Sequence, residues 1–111
     1  MTYERFDVVV VPFPFADKAQ VRRRPALVLS SRSFGDLAGH SVMAMITSAG
    51  NPPWPYDVEI SDLTGAGLPA PSVVRMKLFT LDHRLIAGRC GALSEADREG
   101  VESVLREVLG V

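Results

Sequence analysis

The sequence contains one cysteine, Cys90, and two histidines, His40 and His83. A single thiol cannot close an internal disulfide, so nothing in the chain calls for an oxidising compartment and a cytoplasmic setting is expected. The histidines are far apart, with no cysteine or carboxylate at ligand spacing, so no zinc motif is present. No glycine-rich loop follows a strand and opens a helix, which removes the usual cradle for nucleotide chemistry. No serine or cysteine sits in a recognisable nucleophile elbow. No apolar run approaches the roughly 18 residues of a membrane span. The first apolar stretch holds Asp7 and Pro12 and lacks a small-residue cleavage site, unlike a signal peptide. Repeats, low-complexity tracts and linkers are absent.

What is there describes one ordinary domain. A chain of 111 residues, 47% apolar and 23% charged, suits a single soluble unit over residues 1–111 with a real core. The net charge of −1 hides an asymmetry. Residues 1–32 carry six basic side chains against three acidic ones; residues 93–111 carry two against five. Anionic ligands are expected at the first segment and not at the second.

Taken in order, Phe6 to Val11 is an aromatic and β-branched run, expected as a strand buried on both faces. Pro12-Phe13-Pro14-Phe15 takes the chain out of the sheet, and its phenylalanines are core lids or a stacking surface. Residues 16–24 read as a polar loop and Pro25 to Ser31 as the second strand. A single helical turn is expected near Ser33 to Leu37. His40 to Ser48 alternates as a third strand, with Val42, Ala44 and Ile46 on one face and Met43, Met45 and Thr47 on the other. Three prolines then surround Trp54. Tyr56 to Ile60 is a short strand, residues 61–71 a loop, Ser72 to Leu81 a fifth strand, and Leu85 to Leu93, with Gly88 and Gly91, a bent one. Ser94 opens a helix through the capping pattern Ser94-x-x-Asp97. Val101, Val104, Leu105, Val108 and Leu109 mark the buried face of that helix, and Gly100 within it costs about 1 kcal/mol relative to alanine. The sum is a mainly β fold, barrel-like, with a terminal α-helix against it.

One stretch carries chemistry. Arg22-Arg23-Arg24-Pro25 runs into an apolar strand, and Pro25 drives Arg24 towards an extended conformation at the strand mouth. A guanidinium there presents a planar fork of donors suited to phosphate oxygens. Taken alone, the run reads equally as a solvated basic loop. Thr47 and Ser48 at the end of the third strand, with Arg75 and Lys77 on the fifth, extend it into a constellation. Cleaving a phosphodiester without a metal needs a deprotonated 2′-hydroxyl, a neutralised phosphorane and a protonated leaving oxygen. Arginine supplies the second requirement and can serve the third; a threonine hydroxyl can hold a phosphate oxygen. Trp54 is a base-stacking platform, a loop anchor or a dimer contact. Cys90 is expected to be a half-buried structural thiol.

The blocks Asp7-Val8-Val9-Val10-Val11-Pro12-Phe13-Pro14-Phe15, Arg23-Arg24-Pro25-Ala26-Leu27-Val28-Leu29-Ser30, Ile46-Thr47-Ser48 and Val73-Val74-Arg75, with Thr80-Leu81-Asp82, occur in the order found in the MazF/PemK toxins, and the chain resembles that family over nearly its whole length. The resemblance implies an SH3-like barrel of the CcdB/MazF/PemK type, usually a homodimer, paired with a cognate antitoxin. It implies a metal-independent endoribonuclease (an mRNA interferase, with no cofactor) that cuts single-stranded RNA to a 2′,3′-cyclic phosphate and a 5′-hydroxyl. On that resemblance Arg24, Thr47 and Arg75 are the catalytic positions. Arg22, Arg23, Ser48, Trp54, Lys77 and Phe15 are RNA contacts. Some members carry an acid just after the position of Arg75, used as the base; here Met76-Lys77 follows. Asp82, Asp17 or a water could take that part, or Thr47 could act without a carboxylate partner. Two other readings stay open: a non-catalytic module of the same fold that binds RNA or protein, and a CcdB-like gyrase inhibitor, although the tryptophan such inhibitors carry near the C-terminus is missing.

Overall fold

The computed structural model describes residues 2–13 and 22–111. Six strands form a single antiparallel sheet: β1 (Asp7–Phe13), β2 (Arg22–Val28), β3 (His40–Ser48), β4 (Val58–Glu59), β5 (Ser72–Asp82) and β6 (Gly88–Ala92). They lie in the order β4-β5-β3-β2-β1-β6, curled into a half-barrel. Three α-helices accompany it: α1 (Arg32–Ala38), α2 (Leu63–Ala66) and α3 (Glu95–Leu109), with a 3-10 turn at His83–Leu85. The mainly β architecture with a terminal helix is the one expected from the alternation of the strands.

Alternation sorts the apolar side chains into two cores. Val8, Leu27, Ala44, Ile46 and Val74 point to one face and pack beneath Val101 and Leu105 of α3. Val9, Val11, Ala26, Val28, Met43 and Leu81 point to the other. At about 25 cal/mol per Å² of apolar area removed from water, each fully buried valine or leucine contributes roughly 1.5–3 kcal/mol. The second face, away from α3, also takes Arg24 and Thr47 by the alternation of β2 and β3.

Several boundaries differ from expectation for physical reasons. β2 begins at Arg22, not at Pro25. Pro25 is tolerated inside the strand because β2 pairs with β3 only over Ala26 to Val28, so at Pro25 the strand has one neighbour, Val10 of β1. The turn expected at Ser33 to Leu37 is a full helix capped by the Ser31 hydroxyl, which accepts from the Phe34 N–H. The loop at 61–71 contains α2, capped by Asp62. The bend expected in the last strand is a bulge, with Val8 opposite Gly91 and Val9 opposite Arg89, so that Cys90 is the extra residue. Cys90 is exposed rather than half-buried, though partial desolvation still raises its thiol pKa.

α3 starts where expected, with the Ser94 hydroxyl accepting from the Asp97 N–H at 3.3 Å. Asp97 does not reach back to complete a capping box. Its buried carboxylate accepts from the Ser61 N–H and hydroxyl and from the Asp62 N–H, at 2.7 to 3.0 Å. Burial alone would raise its pKa; hydrogen bonds from Asp62, Ser61 and Ser94 outweigh that and hold it below the usual carboxylate range. At the far end Val108 and Leu109, expected to be buried, are exposed. The helical stripe is real, but the helix outruns the sheet it covers.

Candidate functional site

The site is built where β2 and β3 separate. Their ladder stops at Ala26 opposite Met45. Carrying the register two residues further sets Arg24 opposite Thr47 with no hydrogen bonds between them. The fork is a cavity of about 190 Å³, lined by Arg24, Pro25, Thr47 and Ser48 and floored by the turn at residues 68–72. Arg24 is exposed and pairs by its backbone with Val11. Pro25, stiff at φ, holds the strand on one bank of the fork. Arg22 shares the face of Arg24, whereas Arg23 points to the opposite side.

Thr47 is half-buried on the other bank. Its hydroxyl oxygen accepts from the Asn51 side-chain amide at 2.6 Å. With that lone pair engaged, the hydroxyl hydrogen remains available to donate. Asn51 is itself held by a turn in which its N–H donates to the Ser48 carbonyl at 3.1 Å.

Arg75 lies on the same face, opposite Met45. Its guanidinium is engaged: Nε and Nη2 donate to the two oxygens of Asp57 at 3.1 and 3.0 Å, and Nη2 donates to the Pro52 carbonyl at 2.9 Å. The Arg75 side chain is only 12% exposed. The Arg75 hydrogen bonds hold the Asp57 carboxyl below its ordinary range, and the same pair raises the arginine. Tyr56 completes this loop in the left-handed region at φ 65°, a conformation that costs a bulky residue about 1–2 kcal/mol and here turns Asp57 towards Arg75. Asp57 also accepts from the Trp54 N–H at 3.0 Å. Trp54 is exposed, with the Lys77 ammonium 4.4 Å from its ring centroid. A double bulge makes this contact possible: Ala44 faces Leu78 but Met45 faces Arg75, so Met76 and Lys77 are extra.

Of the expected site residues, then, the fold brings Arg24, Thr47 and Ser48 to one cavity. Arg75 lines a second, of about 220 Å³, which Ser48 also borders. Lys77 and Trp54 lie against each other on the surface, and Arg22 and Arg23 are exposed on β2. Phe15 and Asp17 lie outside the described residues. Asp82 is at the wrong end of the sheet. It faces His40, whereas Thr47 faces Val73, about 23 Å along the strand at ~3.3 Å per residue. Asp82 is also tied to Arg84 at 2.7 Å, which holds it far below the usual carboxylate range.

Three residues were not singled out from the sequence: Asn51, Asp57 and Glu59. Glu59 pairs with Val73, which pairs with Thr47, so Glu59 shares the face of the site and lines the second cavity beside Arg75. It is exposed, and its side chain makes no hydrogen bond or ion pair with another described residue. Among the described residues, no group of three His, Cys, Asp or Glu side chains is placed to hold a metal ion, and no helix is long and apolar enough to cross a membrane.

Residues 4–109 match the family model described as "PemK-like, MazF-like toxin of type II toxin-antitoxin system". Among solved structures, MazF from Deinococcus radiodurans superposes with a TM-score of 0.78 at 24% identity, covering 100% of this chain and 99% of that one. A MazE–MazF structure from the same organism gives 0.80 at 22%, with the same coverage. An endoribonuclease in complex with its cognate antitoxin, from a mycobacterial species, gives 0.77 at 15%, covering 99% and 95%. At these identities the structural likeness is one of fold. No curated protein sequence matches.

Proposed function

Because the chain belongs to the PemK-like, MazF-like toxins of type II toxin–antitoxin systems, we propose that it is a metal-independent endoribonuclease of single-stranded RNA. The observation that carries this reading is the fork of β2 and β3, where Arg24 and Thr47 border a common cavity. A phosphodiester seated there meets a cation that neutralises the pentacoordinate phosphorane and a hydroxyl donor that fixes one non-bridging oxygen. The 2′-oxygen attacks phosphorus, the bond to O5′ breaks, and the products are a 2′,3′-cyclic phosphate and a 5′-hydroxyl. Arg22 and Arg23 steer the backbone, Ser48 and Lys77 add donors, and Trp54 offers a base its exposed ring, a contact worth about 1–3 kcal/mol per stacked base. Arg75 positions the Trp54 loop through Asp57 and adds positive potential beneath the site.

The MazE–MazF and antitoxin-bound structures of similar fold support a cognate antitoxin; in this reading it competes with RNA for Arg24, and the toxin is a homodimer as the family resemblance implies. Purified protein should cleave mixed-sequence single-stranded RNA in excess EDTA, and Arg24→Ala should abolish cleavage without unfolding the domain. Intact RNA after long incubation with wild type would overturn the proposal. Binding without cleavage would instead identify a non-catalytic module, a reading favoured by Met76-Lys77 standing where some relatives carry an acid.

A further inference from the structure

We propose that Glu59, on the two-residue strand β4, is the general base that this site needs. The inference rests on the ribonuclease reading above and completes it. Arg24, Thr47, Val73 and Glu59 form one row across four strands: Val73 is paired with both Thr47 and Glu59, and Arg24 faces Thr47 over the fork. All four point away from α3. With strands about 4.8 Å apart, Glu59 and Thr47 are separated by roughly 10 Å between backbones. A carboxylate reaching inward from one side and a hydroxyl from the other leave room for a ribose between them. The second cavity, about 220 Å³ and bordered by Ser48, Asn51, Glu59 and Arg75, is the Glu59 side of that space, and Ser48 joins it to the first cavity, which Thr47 lines.

Competing carboxylates are excluded by their bonds. Asp57 lines the same cavity, but both its oxygens accept from Arg75 and one also accepts from the Trp54 N–H. Asp97 is buried on α3 with its carboxylate taken up by Ser61 and Asp62, and Asp82 faces His40 at the end of β3 away from Thr47. Glu59 alone of the two acids bordering the cavity is unengaged. Its place also suits the displacement. In-line attack needs the base beside the 2′-hydroxyl and the stabilising cation across the phosphorus, near the leaving oxygen. Glu59 and Arg24 stand at the two ends of the row, with Thr47 between them. Glu59 takes the proton of the 2′-hydroxyl, the O2′–P bond forms, and the P–O5′ bond breaks. O5′ hydrogen-bonds Arg24 and takes a proton from solvent water; Glu59 later returns its own to solvent. No oxidant, metal or second substrate is needed. The acid absent after Arg75 in the sequence is supplied from the neighbouring strand.

The test compares wild type, Glu59→Gln, Glu59→Asp and Arg24→Ala in excess EDTA. Single-turnover cleavage is read across pH, and binding is measured with 2′-O-methyl RNA, which has no nucleophile. Glu59→Gln should slow cleavage by about 10²–10⁴-fold and erase the acid limb of the pH–rate profile, with binding within a few-fold of wild type. Glu59→Asp should keep the acid limb at a reduced rate. Two results overturn the inference: Glu59→Gln that cleaves with wild-type rate and profile while Arg24→Ala is inactive, or Glu59→Gln that loses binding and cleavage in equal measure. The first leaves the ribonuclease reading standing. A wild type that never cleaves removes both.

Discussion

Arg75 illustrates how much a single side chain's partners decide. The family resemblance marks it as a catalytic position, yet its donors go to Asp57 and the Pro52 carbonyl. Removing Asp57 leaves a half-buried guanidinium without its acceptor and frees the Trp54 loop. Asp57→Ala should therefore destabilise the fold by about 1–3 kcal/mol, measured by denaturant unfolding, and weaken RNA binding more than turnover. The sign with pH is fixed as well. The folded-state pKa of Asp57 is depressed, so its contribution is full above the unfolded carboxylate pKa of about 3.9 and fades as pH falls through the lower folded value. Asp57→Ala should flatten that acid limb in thermal melts between pH 7 and 2. Arg24 and Thr47 were singled out by the proline and the serine that follow them, although Arg24 was expected at the end of a loop and lies within β2. Asp57, Asn51 and Glu59 were not. Their roles come from a left-handed turn at Tyr56 and from β4 pairing with β5, and neither has a sequence period to announce it.

At the scale of elements, the strands were readable and their edges were not. Arg22 to Arg24 resembles a loop because polar, charged residues rarely make a central strand; here β2 has only β1 beside it at that point, so both faces can carry charge. Val108 and Leu109 kept the helical period but found no sheet beneath them, since period tells which face is apolar and not how far its cover extends. Gly100 is instructive in the opposite sense. A β-carbon there would sit 3.6 Å from a Val58 methyl, an ordinary contact. Gly100→Ala should therefore raise stability by about 0.5–1 kcal/mol, seen as a higher melting temperature, because the helix propensity gain meets no clash. Gly91 has no such latitude: a β-carbon would lie 2.3 Å from the Gly65 carbonyl oxygen, where β6 crosses α2.

For the whole molecule, a net charge of −1 conceals a division of labour. The arginines of β2 border the fork, and the acidic residues of α3 lie behind the sheet, where Glu102 is 3.9 Å from both Arg5 and Arg106. On the proposed function, RNA is drawn to one side of a nearly neutral protein. The double variant Arg22→Ala/Arg23→Ala should lower the salt slope of single-stranded RNA binding by roughly 1.4, at about 0.7 per lost phosphate contact, while saturating cleavage changes less. The tie between Asp97 and the backbone of Ser61 and Asp62 bears on when such a protein becomes dangerous. β4, with Glu59, is two residues long and is fixed from outside by a helix that follows every strand in the sequence. A nascent chain would emerge from the ribosome with its arginines exposed but its cleft unfinished. It would stay harmless to the message being translated until α3 had been made and had docked.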